Sequence, residues 1–379
     1  MENIFDDAIV GAGIMGLAHA YTLAKRGRRV IVFERNPFAQ GASVRNFGML
    51  WPIGLGAGEW HQRALRSRDI WLRVLRSSGI WHECTGSMHV AYKPDEVTVL
   101  QEFISSAPHL GYDCEWLSPQ QTLDCSPLVN PAELRGAMWS PTEVCIDPRE
   151  VLTNLPTWLH EKYGVQFEFN CAVSGYEQPY VIAGGKEWKA DHLYVCSGED
   201  FQTLYPATFA ESGMVRVKLQ MMRSQAYNHN VRLGPMLAAG LTLGHYPAFE
   251  SCPSLPALKQ RFAEELPEYV RFGIHVMASQ HGSGEITIGD SHEYGTDITP
   301  FNKDEVDQLI LSYLTKFLLL PKLQITSRWQ GIYVKHPTEV CYVGHPANGA
   351  TIIGSPSGRG MTMSFGVAEK VVNERLGAT

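Results

Sequence analysis

The chain lacks the residue spacings that mark several classes of protein. Its eight cysteines (Cys84, Cys114, Cys125, Cys145, Cys171, Cys196, Cys252 and Cys341) stand singly, without a CxxC pair. Its 14 histidines include no HExxH or similar metal spacing. Scattered single cysteines point to reduced thiols in a cytosolic protein and away from a disulfide framework or a zinc site. No metal is expected. Basic residues are short: 32 Lys and Arg against 39 Asp and Glu leave a net charge of −7. No basic face is therefore expected to hold nucleic acid or an anionic membrane. No apolar run reaches the length of a membrane span, and there is no internal repeat or low-complexity tract. What remains is ordinary globular composition, 44% hydrophobic and 19% charged over 379 residues, enough for two or three structural units.

Against that plain background one stretch stands out, Ala8–Glu34. A short apolar run enters Gly11-x-Gly13-x-x-Gly16, an alanine- and leucine-rich helix follows, and a second apolar run ends in Glu34. Strand, tight glycine turn, helix, strand and a terminal acid form a dinucleotide-binding pattern. Gly11 permits the sharp turn, Gly13 admits a pyrophosphate to the backbone, and Gly16 lets the helix pack close. The helix N-terminus offers free N–H groups and partial positive charge to the phosphates. Glu34 can accept from a ribose diol and repels a 2′-phosphate, which disfavours NADP. The motif lies so near the N-terminus that no signal peptide is expected, and the expected location is cytoplasmic.

Beyond Glu34, a small-residue loop (Asn36–Gly58) precedes an expected helix over Glu59–Ser77. Trp60, Ala64, Trp71 and Leu75 mark one side of it, with Arg63, Arg66, Arg68, Arg73 and Arg76 on solvated faces. Pro94–Ser106 and Ser118–Leu123 read as helical or turn-like. Asp147-Pro148-x-Glu150 starts another helix, which Pro156 should kink or break. Val165–Asn170 reads as a strand, Tyr180–Ala183 and Glu187–Lys189 as a hairpin, and His192–Cys196 as a further strand. From Met214 to Ile298, strand-like runs (Val215–Gln225, Phe272–Ser279, Glu285–Asp290) alternate with glycine and proline breaks. An amphipathic helix opens at Asn302-x-x-Glu305. Strands over Glu339–Val343 and Thr351–Ile353 then lead to a glycine turn and a last helix, Met361–Leu376.

Three separated blocks resemble the D-amino-acid oxidase, glycine oxidase and sarcosine oxidase family of FAD-dependent oxidoreductases. The first is the opening motif with Gly41–Leu50, the second Cys171–Ser174 with Leu193–Gly198, the third Gly331–Gly344 with Gly354–Thr362. The resemblance implies an α/β fold (α+β overall). A Rossmann-like FAD-binding domain of the glutathione-reductase type would span 1–85, 145–213 and 328–379. A second, mixed-sheet substrate domain would span 86–144 and 214–327. It implies FAD contacts from Gly11, Ala12, Gly13, Ile14, Met15, Gly16, Glu34 and Arg35, and from Ala42, Ser43, Arg45, Asn46, Gly48, Met49 and Leu50. Val173, Ser197 and Gly198 would add to these, as would Gly358, Arg359, Gly360, Met361 and Thr362. Arg45 and Asn46 are expected to order their loop over the pyrophosphate. Cysteine near Gly331 and histidine in Gly41–Gly48, the linking residues of some relatives, are absent, so FAD should be non-covalent. The fragments Ala42–Gly48, Trp139–Glu143 and Asp147–Glu150 further resemble a subgroup associated with phosphonate breakdown.

The family chemistry is hydride transfer from the carbon beside an amine to flavin N5, giving an imine that water hydrolyses. The flavin carries it, so no catalytic residue is assigned. Alternation puts Tyr333 and Lys335 on one strand face beside the flavin. Relatives hold a carboxylate with an arginine about where Tyr333 stands, and its absence here disfavours a simple α-amino acid. Lys335 is either a point charge for an anionic head group or a strand-end surface lysine. Arg359 either caps an anion or the flavin carbonyls, or is a solvated turn residue. His275, His281 and His292 each line the cavity or serve packing, and His275 is the expected substrate-binding one. The expected function is oxidative deamination of a small amine bearing an anionic group, preferably an aminoalkylphosphonate such as 2-aminoethylphosphonate or its N-methyl form. Oxygen is the expected acceptor, although Gly284–Gly289 lacks the lysine with which relatives promote its reduction. The alternatives are oxidation of an amino acid or N-methyl amino acid, a dehydrogenase with a protein or quinone acceptor, and a flavin-binding or nucleic-acid-modifying module.

Overall fold

In the computed structural model, which describes residues 4–295, 298–354 and 356–378, the apolar run Ile4–Val10 is a central strand. It pairs in parallel with Val30–Glu34 on one side and Lys186–Val195 on the other. Helix Ile14–Ala24 connects the first two strands, and every residue of it but Thr22 is buried. Burial on both faces explains why VIVFE (Val30–Glu34) is an unbroken apolar run without alternation. Gln166–Phe169 extends the parallel set beyond Val30–Glu34, and Ala350–Ile353 joins it beyond Lys186–Val195. Three antiparallel strands (Val173–Glu177, Tyr180–Ala183, Val343–Gly344) complete an eight-stranded sheet.

The second sheet has nine strands. They run Glu293–Gly295, Val215–Ser224, Ile286–Gly289, Met277–Gln280, Met236–Ala238, Ser87–Ala91, Gly136–Ser140 and Glu115–Leu117, with Ile325–Lys335 pairing along Val215–Ser224. The domain boundary drawn at 328 falls inside this last strand. A small sheet of Met49–Leu50, Val144–Ile146 and His82–Glu83 ties down the end of the glycine-rich loop. The C-terminal helix Gly360–Leu376 packs on Ile14–Ala24 and Glu59–Ser78. Fully buried Trp71 donates from Nε1 to the Met361 carbonyl at 2.7 Å and so fixes the start of that helix. This is the expected α/β fold with mixed sheets.

Several expected elements differ. The hairpin arm Glu187–Lys189 and the strand His192–Cys196 are one strand, Lys186–Val195, whose alternating half faces water and whose other half is buried. The helix opened by Pro148 runs unbroken through Pro156 to Tyr163, because Val151, Leu152, Leu155, Pro156 and Leu159 form one buried face. Helices Leu255–Glu265 and Pro267–Arg271 replace expected strand and breaks. Their prolines sit in the first turn, where the missing N–H has no helical partner to lose. Phe272 and Gly273 close the second of these helices, so the strand expected from Phe272 begins only at Met277. Glu339–Val343 shrinks to Val343–Gly344. His336 Nδ1 accepts from the Glu339 N–H at 2.8 Å, a local bond that competes with a sheet ladder.

Asp7, wholly buried in the first strand, pairs with Arg28 and Arg375 and so anchors the chain's last helix to its first strand. Removing one member of a buried ion pair leaves the others uncompensated, at about 3–5 kcal/mol. Asp7→Ala is accordingly expected to lower unfolding stability by about 3 kcal/mol in urea titration. A change within ~0.5 kcal/mol would show that these charges are solvated instead.

Candidate functional site

The parallel strands of the first sheet end at a cavity of ≈ 700 Å³, lined by Val10, Glu34, Cys196 and Ile353 at their carboxyl ends. Ligands in open α/β sheets bind at this edge. Gly11, at φ +98°, makes the turn off the first strand, and a Cβ there would lie 2.5 Å from the Cys196 carbonyl oxygen. A Cβ on Gly16 would lie 1.9 Å from the Gly11 oxygen, so the helix approaches the turn only because Gly16 has no side chain. No acid occupies the first helical turn, and Gly13, Ile14 and Met15 open onto the cavity. The helix therefore presents its positive end to whatever lies there.

Glu34 closes the second strand, 8% exposed and lining the cavity. Its Oε2 accepts from the Ala12 N–H at 3.0 Å, and its Oε1 from the Asn36 N–H and Nδ2 at 3.0 and 3.2 Å. These bonds hold the carboxylate against the glycine turn, with lone pairs left for a ribose. Opposite, Ser43 Oγ accepts from the Ile14 N–H at 3.0 Å. Asn46 orders its own loop, donating to the Ser43 carbonyl and accepting from the Gly48 N–H, both at 2.7 Å. Arg45 Nη1 donates to the Gln330 carbonyl at 3.2 Å, tying the loop to the long strand of the second sheet. A narrow glycine cradle, a positive helix end and a held acid fit the pyrophosphate and adenosine of FAD.

Most residues expected around FAD line this cavity, namely Gly11, Gly13, Ile14, Met15, Glu34, Arg35, Ala42, Ser43, Arg45, Asn46, Val173, Ser197, Gly198, Gly358, Gly360 and Met361. Others stand behind it. Ala12 serves Glu34, and Gly16 allows helix packing. Gly48 is pressed on the Ile146 carbonyl, and Met49 and Leu50 pair with Val144 and Cys145. Thr362 Oγ1 accepts from the Trp51 N–H at 2.8 Å, and Arg359 caps the last helix. Sequence reading missed Arg216, Leu219 and Gln202 in the lining, and the ion pair Arg35–Asp200 at 2.9 Å.

At the far end the lining passes through Gly331 and Ile332 to Tyr333, 9% exposed. Its ring covers the Gly358 turn, where a Cβ would lie 3.0 Å from Tyr333 Cζ. Beyond Tyr333 stands a group of rings: His292 at 6.3 Å between centroids, His275 at 5.0 Å from His292, and His245 at 3.8 Å from His275. Tyr246 lies 5.8 Å from His275, and Tyr294 lies 6.1 Å from His292 with Lys335 Nζ over its ring at 5.2 Å. One ring nitrogen from each of His245, His275 and His292 lies within 4.8 Å of the other two. Burial, with His292 adding to it, holds His275 well below the usual imidazole range, and burial takes His292 down to about 4. Burial lowers Arg359 and pushes the Tyr333 hydroxyl far up.

Tyr333, Lys335, Arg359 and His275 are thus brought together, and His245, Tyr246, Asp290 and Tyr294 join them unforeseen. The alternation of Asp290, His292 and Tyr294 was the available signal. His281 stands apart. Its Nδ1 meets the Ile146 carbonyl at 3.1 Å and its Nε2 the Thr287 hydroxyl at 2.7 Å, a fully used structural histidine.

A family model described as FAD dependent oxidoreductase, DAO, matches residues 6–374. The chain belongs to the DAO family of FAD-dependent oxidoreductases. Among curated relatives it is 28% identical over 172 residues to mitochondrial sarcosine dehydrogenase of Mus musculus, covering 44% of this chain and 18% of that protein. It is 30% identical over 149 residues to glycine oxidase of Geobacillus kaustophilus, covering 37% of this chain and 40% of that one. The matched stretches thus span under half of either relative's length. Among solved structures, L-proline dehydrogenase from P. horikoshii superposes with a TM-score of 0.78 at 22% identity, covering 100% of this chain and 95% of the other. Glycine oxidase from Geobacillus kaustophilus gives 0.77 at 19% identity, covering 98% and 95%. These likenesses confirm the fold. No helix among the described residues is long and apolar enough to cross a membrane.

Proposed function

We propose that this DAO-family enzyme oxidises a small amine bearing an anionic group, with an aminoalkylphosphonate as the preferred class and oxygen as acceptor. One observation carries the reading. Arg359 and Lys335 both bear on the tyrosines at the flavin end, and among the described residues neither has a carboxylate within ion-pair distance. The charge of exposed Glu250 also bears on Arg359. A half-buried cation without a counter-ion is a place for an anion. Residue 333 is tyrosine, so no arginine fork projects from that strand position to clamp a planar carboxylate. A tetrahedral phosphonate suits point charges and hydroxyls from several directions: Lys335, Arg359, Tyr246, Tyr294 and Tyr333.

Bound FAD, held without a covalent link, would supply the hydride acceptor. The chain's own part is to fix the anion, present the amine-bearing carbon and keep water out. The same positive field disfavours a metal dication among the three histidines. Similarity to sarcosine dehydrogenase and glycine oxidase supports a second reading, oxidation of an amino acid or N-methyl amino acid by a dehydrogenase or an oxidase.

The test is anaerobic mixing of the flavoprotein with amino acids, N-methyl amino acids and aminophosphonates while flavin absorbance is followed. Aminophosphonates should bleach it fastest, and admitting air should restore the colour. Bleaching by carboxylates alone would end the phosphonate reading. Reduced flavin that persists in air would end the oxygen reading.

A further inference from the structure

His275 and Asp290 are the least explained pair in the molecule. They are 3% and 4% exposed, and both imidazole nitrogens and Asp290 Oδ1 lack hydrogen-bond partners. His275 Nε2 lies 3.3 Å from Asp290 Oδ1, and their backbones exchange N–H and carbonyl bonds at 3.0 and 3.2 Å. Buried polar groups are rarely left unmatched without a ligand or a function. The pair faces the same residues as the proposed anion site: Asp290's charge bears on Tyr246, Tyr294 and Tyr333, on which Arg359 also bears. An acid and a cation that bear on the same rings match a zwitterion.

We propose that Asp290, paired with His275, binds the substrate's ammonium group and takes its proton before oxidation. This rests on the amine reading above. Hydride can leave the neighbouring carbon only when the nitrogen has a free lone pair. In the step an ammonium N–H bond breaks, its electron pair stays on nitrogen, and the proton bonds to the Asp290 carboxylate, beside His275. No oxidant or co-reactant enters. Burial raises the proton affinity of Asp290, which brings it nearer that of an amine. The groups around the pair are His245, Tyr246, His292, Tyr294, Tyr333, Lys335 and Arg359, and burial opposes the ionised state of Asp290. His292 Nδ1–H donates to the Gly273 carbonyl, 2.9 Å away, so that nitrogen is already engaged.

The test is anaerobic flavin reduction by 2-aminoethylphosphonate across pH. For the wild-type flavoprotein the rate should hold a plateau well below the amine's own pKa. A rate that simply follows the free-amine fraction would overturn the proposal without any variant. Asp290→Asn should lose on the order of 10²-fold or more near neutral pH. It should regain that loss about tenfold per pH unit as the amine deprotonates in solution, with FAD content unchanged. His275→Gln should keep the plateau but move its acid edge. An equal loss at every pH, the mark of a structural role, would overturn the assignment. So would Zn²⁺ raising the melting temperature in wild type but not in His275→Gln. If no aminophosphonate bleaches the wild type, it is the substrate reading that fails, and the pH series is run on whichever amine does.

Discussion

Gly11→Val should yield protein without flavin. Gly11 holds φ at +98°, and a Cβ there would press 2.5 Å from the Cys196 carbonyl oxygen. Neither side can retreat. The Gly11 N–H is bonded to the Phe33 carbonyl at 2.7 Å, and the Cys196 N–H to the Val10 carbonyl at 2.9 Å. A β-branched residue at positive φ adds strain of about 1–3 kcal/mol before any clash. Moving the turn would also carry Ala12, hence Glu34, out of place. A combined loss of about 3 kcal/mol weakens FAD by roughly 10²-fold. The readout is flavin absorbance per mole of purified protein, with apoprotein titrated by FAD. Gly27→Ala is the control: also at positive φ (+78°), its Cβ would meet nothing within 4 Å. It should be mildly destabilised and keep its flavin. Wild-type FAD affinity in Gly11→Val would refute this account of the turn.

Why that turn was legible and the substrate end was not has a physical reason. The nucleotide cradle is built from consecutive residues, and its constraints (no side chain at three positions, an acid at the strand end) appear as residue types at fixed spacing. The same holds for Asn46, which bonds within its own loop, while Arg45 ties that loop to the Gln330 carbonyl. The proposed substrate end is assembled from remote segments: His245 from a turn, His275 and Asp290 from neighbouring strand ends, Tyr333 from the long strand, Arg359 from a helix start. No local pattern records that meeting. Tyr333 and Lys335 could be placed on one strand because alternation on a strand is local. Asp290 was overlooked because a strand-ending acid is usually solvated, and only its burial beside His275 distinguishes it. Prolines misled for a similar reason. Pro256 and Pro267 break a helix interior but suit a first turn, and which applies depends on where packing lets the helix begin.

Arg359→Ala should raise the dissociation constant for an anionic amine by about 10²-fold or more, because a buried charge pair that loses one partner weakens binding by about 2–5 kcal/mol. The guanidinium sits at the start of the last helix, within electrostatic reach of Tyr246, Tyr294 and Tyr333. That helix start also belongs to the proposed flavin contacts, so the variant has to separate two roles. If Arg359 holds the substrate anion, the limiting rate of flavin reduction at saturation should stay within about tenfold of wild type. The flavin's midpoint potential should hardly move. If it caps the flavin instead, the potential falls and the limiting rate with it, while substrate affinity survives. Arg359→Lys sharpens the distinction. A lysine restores charge without the planar fork, and it should recover much of the affinity for a phosphonate but little for a carboxylate that needs two parallel bonds. An alanine variant that binds anionic and neutral amines with unchanged preference would remove the observation on which the substrate class rests.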